Sequence, residues 1–129
     1  MYSVPTAVFL TGQGLDGNVA ESKRRQVTII EREAWDGFMQ DLGASTDPSA
    51  RRANVMISGI SLENTRGKTL AIGEIRLLIG GETTPCELME AALPGLQNAM
   101  RPKWGGGAFA QVIVGGRMQV GDAVVWEDV

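Results

Sequence analysis

Apolar positions along the chain fall into two periods, and the switches between them lay out the elements. Thr6–Leu10 is a short apolar run that reads as a strand. Gly12, Gly14 and Gly17 follow and mark a loop or hairpin connection. Arg25-Gln26-Val27-Thr28-Ile29-Ile30 is β-branched and reads as a second strand. The period then changes. Ala34, Trp35, Phe38, Met39 and Leu42 share one helical face, and Gly43 supplies a stop. Trp35 and Phe38 on that face are expected core anchors.

Alternation returns at Val55 and Ile57, set against Met56 and Ser58. Leu70–Gly73 and Glu74–Ile79 read as strands, the second with Ile75, Leu77 and Ile79 on one face. Gly80-Gly81 is expected to turn the chain. The helix after it uses Leu88, Met89, Ala92 and Leu93, and Pro94-Gly95 interrupts it. Leu96–Met100 adds a further helical segment. Arg101-Pro102-Lys103-Trp104-Gly105-Gly106-Gly107 is a basic, glycine-rich loop whose Trp104 either stacks on a planar ligand or covers the core. Ala108–Val114 reads as a strand, Gly115-Gly116 as a hairpin turn, and Arg117–Val120 as the returning partner. Ala123–Trp126 closes the pattern. Short strands with turn signals between them predict an α+β fold, mostly β: an antiparallel barrel with two or three short helices at its ends.

Size and composition add mainly exclusions. A chain of 129 residues fits a single domain, expected over residues 4–127. Its 17 glycines and 5% aromatic content suit a fold with many turns and small side chains. The net charge of -3 gives no footprint for nucleic acid, although Lys23-Arg24-Arg25 and Arg51-Arg52 are local basic clusters. No apolar run is long enough to span a membrane as a helix. Met1–Pro5 carries neither a charged n-region nor an apolar h-region, so a cytoplasmic location is expected. The sequence has no histidine, which removes Ser-His-Asp and Cys-His catalysis and histidine metal sites. Its one cysteine excludes an intrachain disulfide and a Cys-x-x-Cys pair.

That cysteine is the candidate chemical group. Thr84 and Glu87 have capping-box spacing, and Pro85 suits the first helical position. Cys86 then falls in the first turn, where unpaired N–H groups favour a thiolate. Glu82, Glu87 and Glu90 oppose this, so an activated thiolate needs a cation from elsewhere. The alternative is a small buried side chain without chemistry. Arg52 and Asn54, two apart, share one side of a strand that begins there and could read a phosphate or a polar ring edge, or only solvate its start.

Several of these pieces form an ordered set. They are Arg25–Ile30, Arg51-Arg52-Ala53-Asn54 leading to Ser58-Gly59-Ile60, Leu70–Gly73, Pro85-Cys86-Glu87-Leu88-Met89, Ala92–Leu96, Gly105–Ala110 and Val120-Gly121-Asp122. Their order and spacing resemble the MOSC domain, the C-terminal domain of molybdenum cofactor sulfurases, which also occurs as small free-standing bacterial proteins. The resemblance implies a MOSC-like β-barrel. It implies that Cys86 ligates molybdenum or carries sulfur, and that Arg52, Asn54, Ser58 and Arg101 line a site for the molybdenum cofactor (molybdopterin). Similar proteins reduce N-hydroxylated compounds with electrons from a separate redox protein, whereas a sulfur carrier would draw on a cysteine desulfurase. Pyridoxal phosphate binding is associated with the family as a whole, but no aminotransferase-like domain is present in this sequence. Two departures stand out. Family members start with a further strand before the equivalent of Val4, so the first barrel strand is expected to be missing or replaced, and the family's early Gly-Asp is Gly17-Asn18. An edge left open in this way would suit pairing with a second copy, and a non-catalytic interaction module is the alternative function.

Overall fold

The computed structural model describes residues 6–15, 25–45, 55–84 and 87–127. Strands β1 (Thr6–Leu10) and β2 (Gly14–Leu15) form a hairpin. Strand β3 (Val27–Glu31) runs straight into helix α1 (Arg32–Leu42). Strands β4 (Val55–Ile57), β5 (Thr69–Ile72) and β6 (Ile75–Glu82) follow. Then come two short helices, α2 (Glu87–Ala92) and α3 (Leu96–Met100), and a 3-10 turn at Pro102–Trp104. Strands β7 (Ala108–Val114), β8 (Gly116–Gln119) and β9 (Val124–Trp126) end the chain.

Six strands make a curled sheet, a half-barrel in the order β4-β3-β7-β6-β5-β9. A smaller sheet, β2-β1-β8, lies beside it. The mixed α+β architecture is the one expected. Pairing is antiparallel throughout except between β3 and β4, which α1 and the segment after it join in parallel. The inner face carries the main core, including Ile29, Val55, Ile57, Leu70, Leu77, Ile79, Ala110 and Val112. A second core joins the helices: Trp35 and Met39 of α1 pack with Met89, Leu96 and Met100. Trp35 and Phe38 thus serve as anchors, as the helical period predicts, and Trp104 packs against the main core.

Two turn expectations are corrected. Gly80-Gly81 does not turn the chain; β6 runs through both residues, with an irregular register between Ile79 and Gly81. The reason is the ring of Phe109, which occupies the space a side chain at either position would need. Nor do Gly115-Gly116 fold β8 back on β7. The chain crosses to the other sheet there, and β8 pairs with β1. Gly115 passes so close to β1 that a Cβ would meet the Phe9 carbonyl oxygen at 2.4 Å, and its N–H donates to Thr11 Oγ1 at 2.8 Å. Other stops hold: Gly43 caps α1 in the left-handed region, and Gly95, also left-handed, separates α2 from α3. Glu90 accepts the Gly95 and Gln97 N–H groups at the start of α3.

Candidate functional site

One end of the curled sheet gathers most of the segments that the sequence marks for chemistry. Val55, Ile29, Ala108 and Glu82 lie side by side across β4, β3, β7 and β6. Just beyond this row β3 becomes α1, β4 reaches Ser58-Gly59, and β6 reaches Thr83-Thr84 on its way to Pro85-Cys86. The Gly105–Gly107 segment enters β7 at the same end. A surface depression lined by Gly73, Glu74, Arg117, Gln119 and Asp122 lies elsewhere. It adjoins the β5–β6 turn, about 25 Å away along the length of β6.

The parallel pair β3 and β4 ends in a knot of carboxylates and donors. Ser58 Oγ and the Gly59 N–H, the latter at 3.0 Å, both donate to Glu33 Oε2. The Ser58 bond and the N–H of Glu33 itself, then the Gly59 N–H and the nearby Arg32 charge, hold the Glu33 carboxyl below its ordinary pKa against the opposing effect of desolvation. Its neighbour Glu31 behaves in the opposite way. Burial pushes its pKa up, helped by the charges of Glu33 and Glu63, although the Leu62 N–H donates to it at 3.2 Å.

Beside this knot the backbones of β6, β7 and β3 crowd together. The Thr83 N–H donates to the Gly107 carbonyl at 2.9 Å. A Cβ at Gly107, whose φ is +92°, would lie 2.0 Å from the Ile29 carbonyl oxygen, so only glycine fits. Thr83 is 6% exposed, and its Oγ1 has no hydrogen-bond partner among the described residues. The other buried polar side chains differ. Thr65 Oγ1 donates to the Leu62 carbonyl at 2.6 Å, and Gln26 bonds to both Gly12 and Val112. On the outer face, the Arg25 guanidinium lies 4.7 Å from the Phe109 ring centroid. The Arg66 guanidinium comes within 3.2 Å of the place a Gly81 Cβ would take.

Among the sequence-predicted site residues, Ser58 is at this end of the sheet, exposed and bonded to Glu33. Arg101 closes α3, is exposed, and donates from Nε to Asn98 Oδ1 at 3.1 Å. Cys86, Arg52 and Asn54 lie outside the described residues, as does Pro85. Sequence reasoning passed over Glu33 and Thr83. Glu33 gains its role from a partner 25 positions away. Thr83 reads locally as one more polar residue after a glycine pair, and the irregular register at Ile79–Gly81 hides its face. Among the described residues no group of three or more acidic side chains is placed to hold a metal ion.

A curled half-barrel sheet with three short helices and this order of motifs defines a small α+β domain. The MOSC domain family model matches residues 16–125, and the chain belongs to that family. The YuaD protein from Bacillus subtilis has a similar structure, with a TM-score of 0.76 at 22% identity over 94% of this chain and 84% of that one. YiiM from Escherichia coli matches with a TM-score of 0.74 at 17% identity, over 97% of this chain and 69% of that one. YiiM from Geobacillus stearothermophilus matches with a TM-score of 0.70 at 17% identity, over 81% and 55%. At these identities the likeness is one of fold. No curated protein matches the chain.

Proposed function

We propose that this MOSC domain binds the molybdenum cofactor, with Cys86 as the protein's sulfur ligand and Arg52, Asn54, Ser58 and Arg101 as cofactor-binding residues. The observation that carries the reading is the family match over residues 16–125, a stretch that includes Cys86 and all four of these residues. The donor set also suits the cofactor. A thiolate is a soft ligand, and guanidinium and amide groups recognise phosphate and ring edges. When bound, the cofactor supplies two-electron redox chemistry that these side chains lack. The chain's own part is to hold it, to supply the sulfur, and to keep polar groups aimed at it. The reaction class that fits is reduction of N-hydroxylated compounds, with a separate redox protein as electron donor.

The test is expression in cells that make the cofactor, followed by molybdenum and pterin analysis. The expected result is close to one of each per chain, lost in Cys86→Ser. Sulfur releasable by cyanide with neither metal nor pterin would instead identify a sulfur carrier supplied by a desulfurase. A chain holding none of the three would be an interaction module, and the cofactor reading would fall.

A further inference from the structure

We infer that Glu74 and Asp122 guard the free edge of β8 against strand pairing by a second copy of this chain. Among the described residues β8 pairs only with β1. Its other side presents the backbone groups of Arg117 and Gln119, two residues apart. Such an edge is a template for a further strand. Here it is closed from the side. The Arg117 N–H donates to Glu74 Oε1 at 3.0 Å, and the Gln119 N–H donates to Asp122 Oδ2 at 3.0 Å. The Asp122 N–H donates in turn to the Gln119 carbonyl at 3.1 Å, so Asp122 satisfies both backbone groups of that residue.

Both carboxylates are held in place by the fold. Asp122 lies between β8 and β9, where the Gly73 N–H donates to the neighbouring Ala123 carbonyl at 3.3 Å. Glu74, in the β5–β6 turn, lies across the start of β8: a Cβ on Gly116 would meet its Oε1 at 2.6 Å and its Cγ at 2.7 Å. Outside them is the open depression of about 420 Å³ lined by Gly73, Glu74, Arg117, Gln119 and Asp122. Among the described residues, then, side chains and not a packed strand close this edge. A second copy is the occupant they exclude. Pairing of β8 with β8 about a two-fold axis is self-complementary. It would also bring two Glu74 and two Asp122 carboxylates together against only two Arg117 guanidiniums. Exposed apolar side chains flank the same edge. Val8, across from Arg117 on β1, is 37% exposed, and Val120, the residue after β8, is 83% exposed. Uncapped N–H groups beside such side chains favour pairing.

The experiment compares wild type, Glu74→Ala, Asp122→Ala and the double variant by amide hydrogen exchange and by sedimentation velocity across a concentration series. In dilute protein, Glu74→Ala speeds exchange about tenfold at Arg117, and Asp122→Ala about tenfold at Gln119, the effect of one lost hydrogen bond each. The Ile29 amide in β3 serves as the unchanged control. The double variant self-associates at concentrations where wild type does not, and rising concentration slows exchange at Arg117 and Gln119 again. Asp122 also holds the turn after β8, so Glu74→Ala, which leaves that turn intact, is the second measure: it associates more weakly than the double variant and more strongly than wild type. Folded variants that sediment as wild type at every concentration would overturn the inference. Fast exchange of both amides in wild type would overturn it too, because the caps would not be formed. So would protection of Arg117 and Gln119 that rises with wild-type concentration, which would show the edge already paired.

Discussion

The Phe109 ring packs against Gly80: a Cβ there would meet Cε2 at 2.5 Å and Cδ2 at 2.9 Å. The next residue, Gly81, is the strand partner of Phe109 and is nearly as tight, at 3.1 Å to Cζ. Gly80→Ala is thus expected to destabilise the domain by about 1–3 kcal/mol, the usual cost of forcing a methyl into packed space. Urea denaturation measures it. Phe109→Leu in the same chain should recover part of the loss, because the clash is with the ring and not with backbone. An unchanged midpoint for Gly80→Ala would mean that the ring moves freely.

That pair also marks how far the sequence could be read. Period-2 alternation at Ile75, Leu77 and Ile79 and the helical face of Trp35, Phe38, Met39 and Leu42 were legible, because each is a local pattern with a buried side. Gly80-Gly81 was misleading, because a glycine pair in a turn and one beneath an aromatic ring look alike until Phe109 is placed. Gly115-Gly116 misled in the same way, since the contact that needs glycine comes from Phe9 and Thr11, more than a hundred positions earlier. At the candidate site, the resemblance names Ser58, which stands at that end of the sheet, and Cys86, which lies outside the described residues. The pairing of Ser58 with Glu33, and the unpaired hydroxyl of Thr83, depend on strand order and register.

Glu31 offers a pH test. Its folded-state pKa is raised, chiefly by burial and then by the Glu33 and Glu63 charges, with the Leu62 N–H as partial compensation. The folded state therefore holds the proton more tightly than the unfolded state. Stability from this group is present below the ordinary carboxyl value of 4.5 and declines as pH rises through the raised pKa. Glu31→Gln, which keeps an acceptor for the Leu62 N–H, should raise the melting temperature at pH 7 and lose that advantage near pH 4. Equal effects at both pH values would refute the assignment.

Glu33 runs the other way. Its pKa is lowered, first by the Ser58 hydroxyl. Its stabilising contribution is present above 4.5 and is lost as pH falls through the depressed value. The pair is exposed, so solvent screening limits Ser58→Ala to roughly 0.5 kcal/mol at neutral pH. The sharper readout is the carboxyl itself. Carbon-detected NMR titration should show the Glu33 pKa moving up toward 4.5 in Ser58→Ala, and the small stability difference should vanish in acid.

Gln26 joins the two sheets. Its Nε2 donates to the Gly12 carbonyl at 3.0 Å, at the tip of the β1–β2 hairpin, and its Oε1 accepts the Val112 N–H at 2.9 Å in β7. The Val112 carbonyl meanwhile accepts the Gly12 N–H at 2.7 Å. A single side chain thus satisfies one buried donor in the curled sheet and one acceptor in the hairpin. Gln26→Leu has similar volume but leaves both groups unpaired, and should cost about 2–4 kcal/mol. Gln26→Glu separates the two bonds: an ionised carboxylate still accepts from Val112 but cannot donate to Gly12. It should be more damaging at pH 7 than at pH 4, where a protonated carboxyl can both donate and accept. Hydrogen exchange at the Val112 amide is the local check. In Gln26→Leu it should exchange faster than core amides of β5 such as Leu70, which lie outside this network. Uniform loss of protection across both strands would mean that Gln26 supports the whole fold and does not clamp this corner alone.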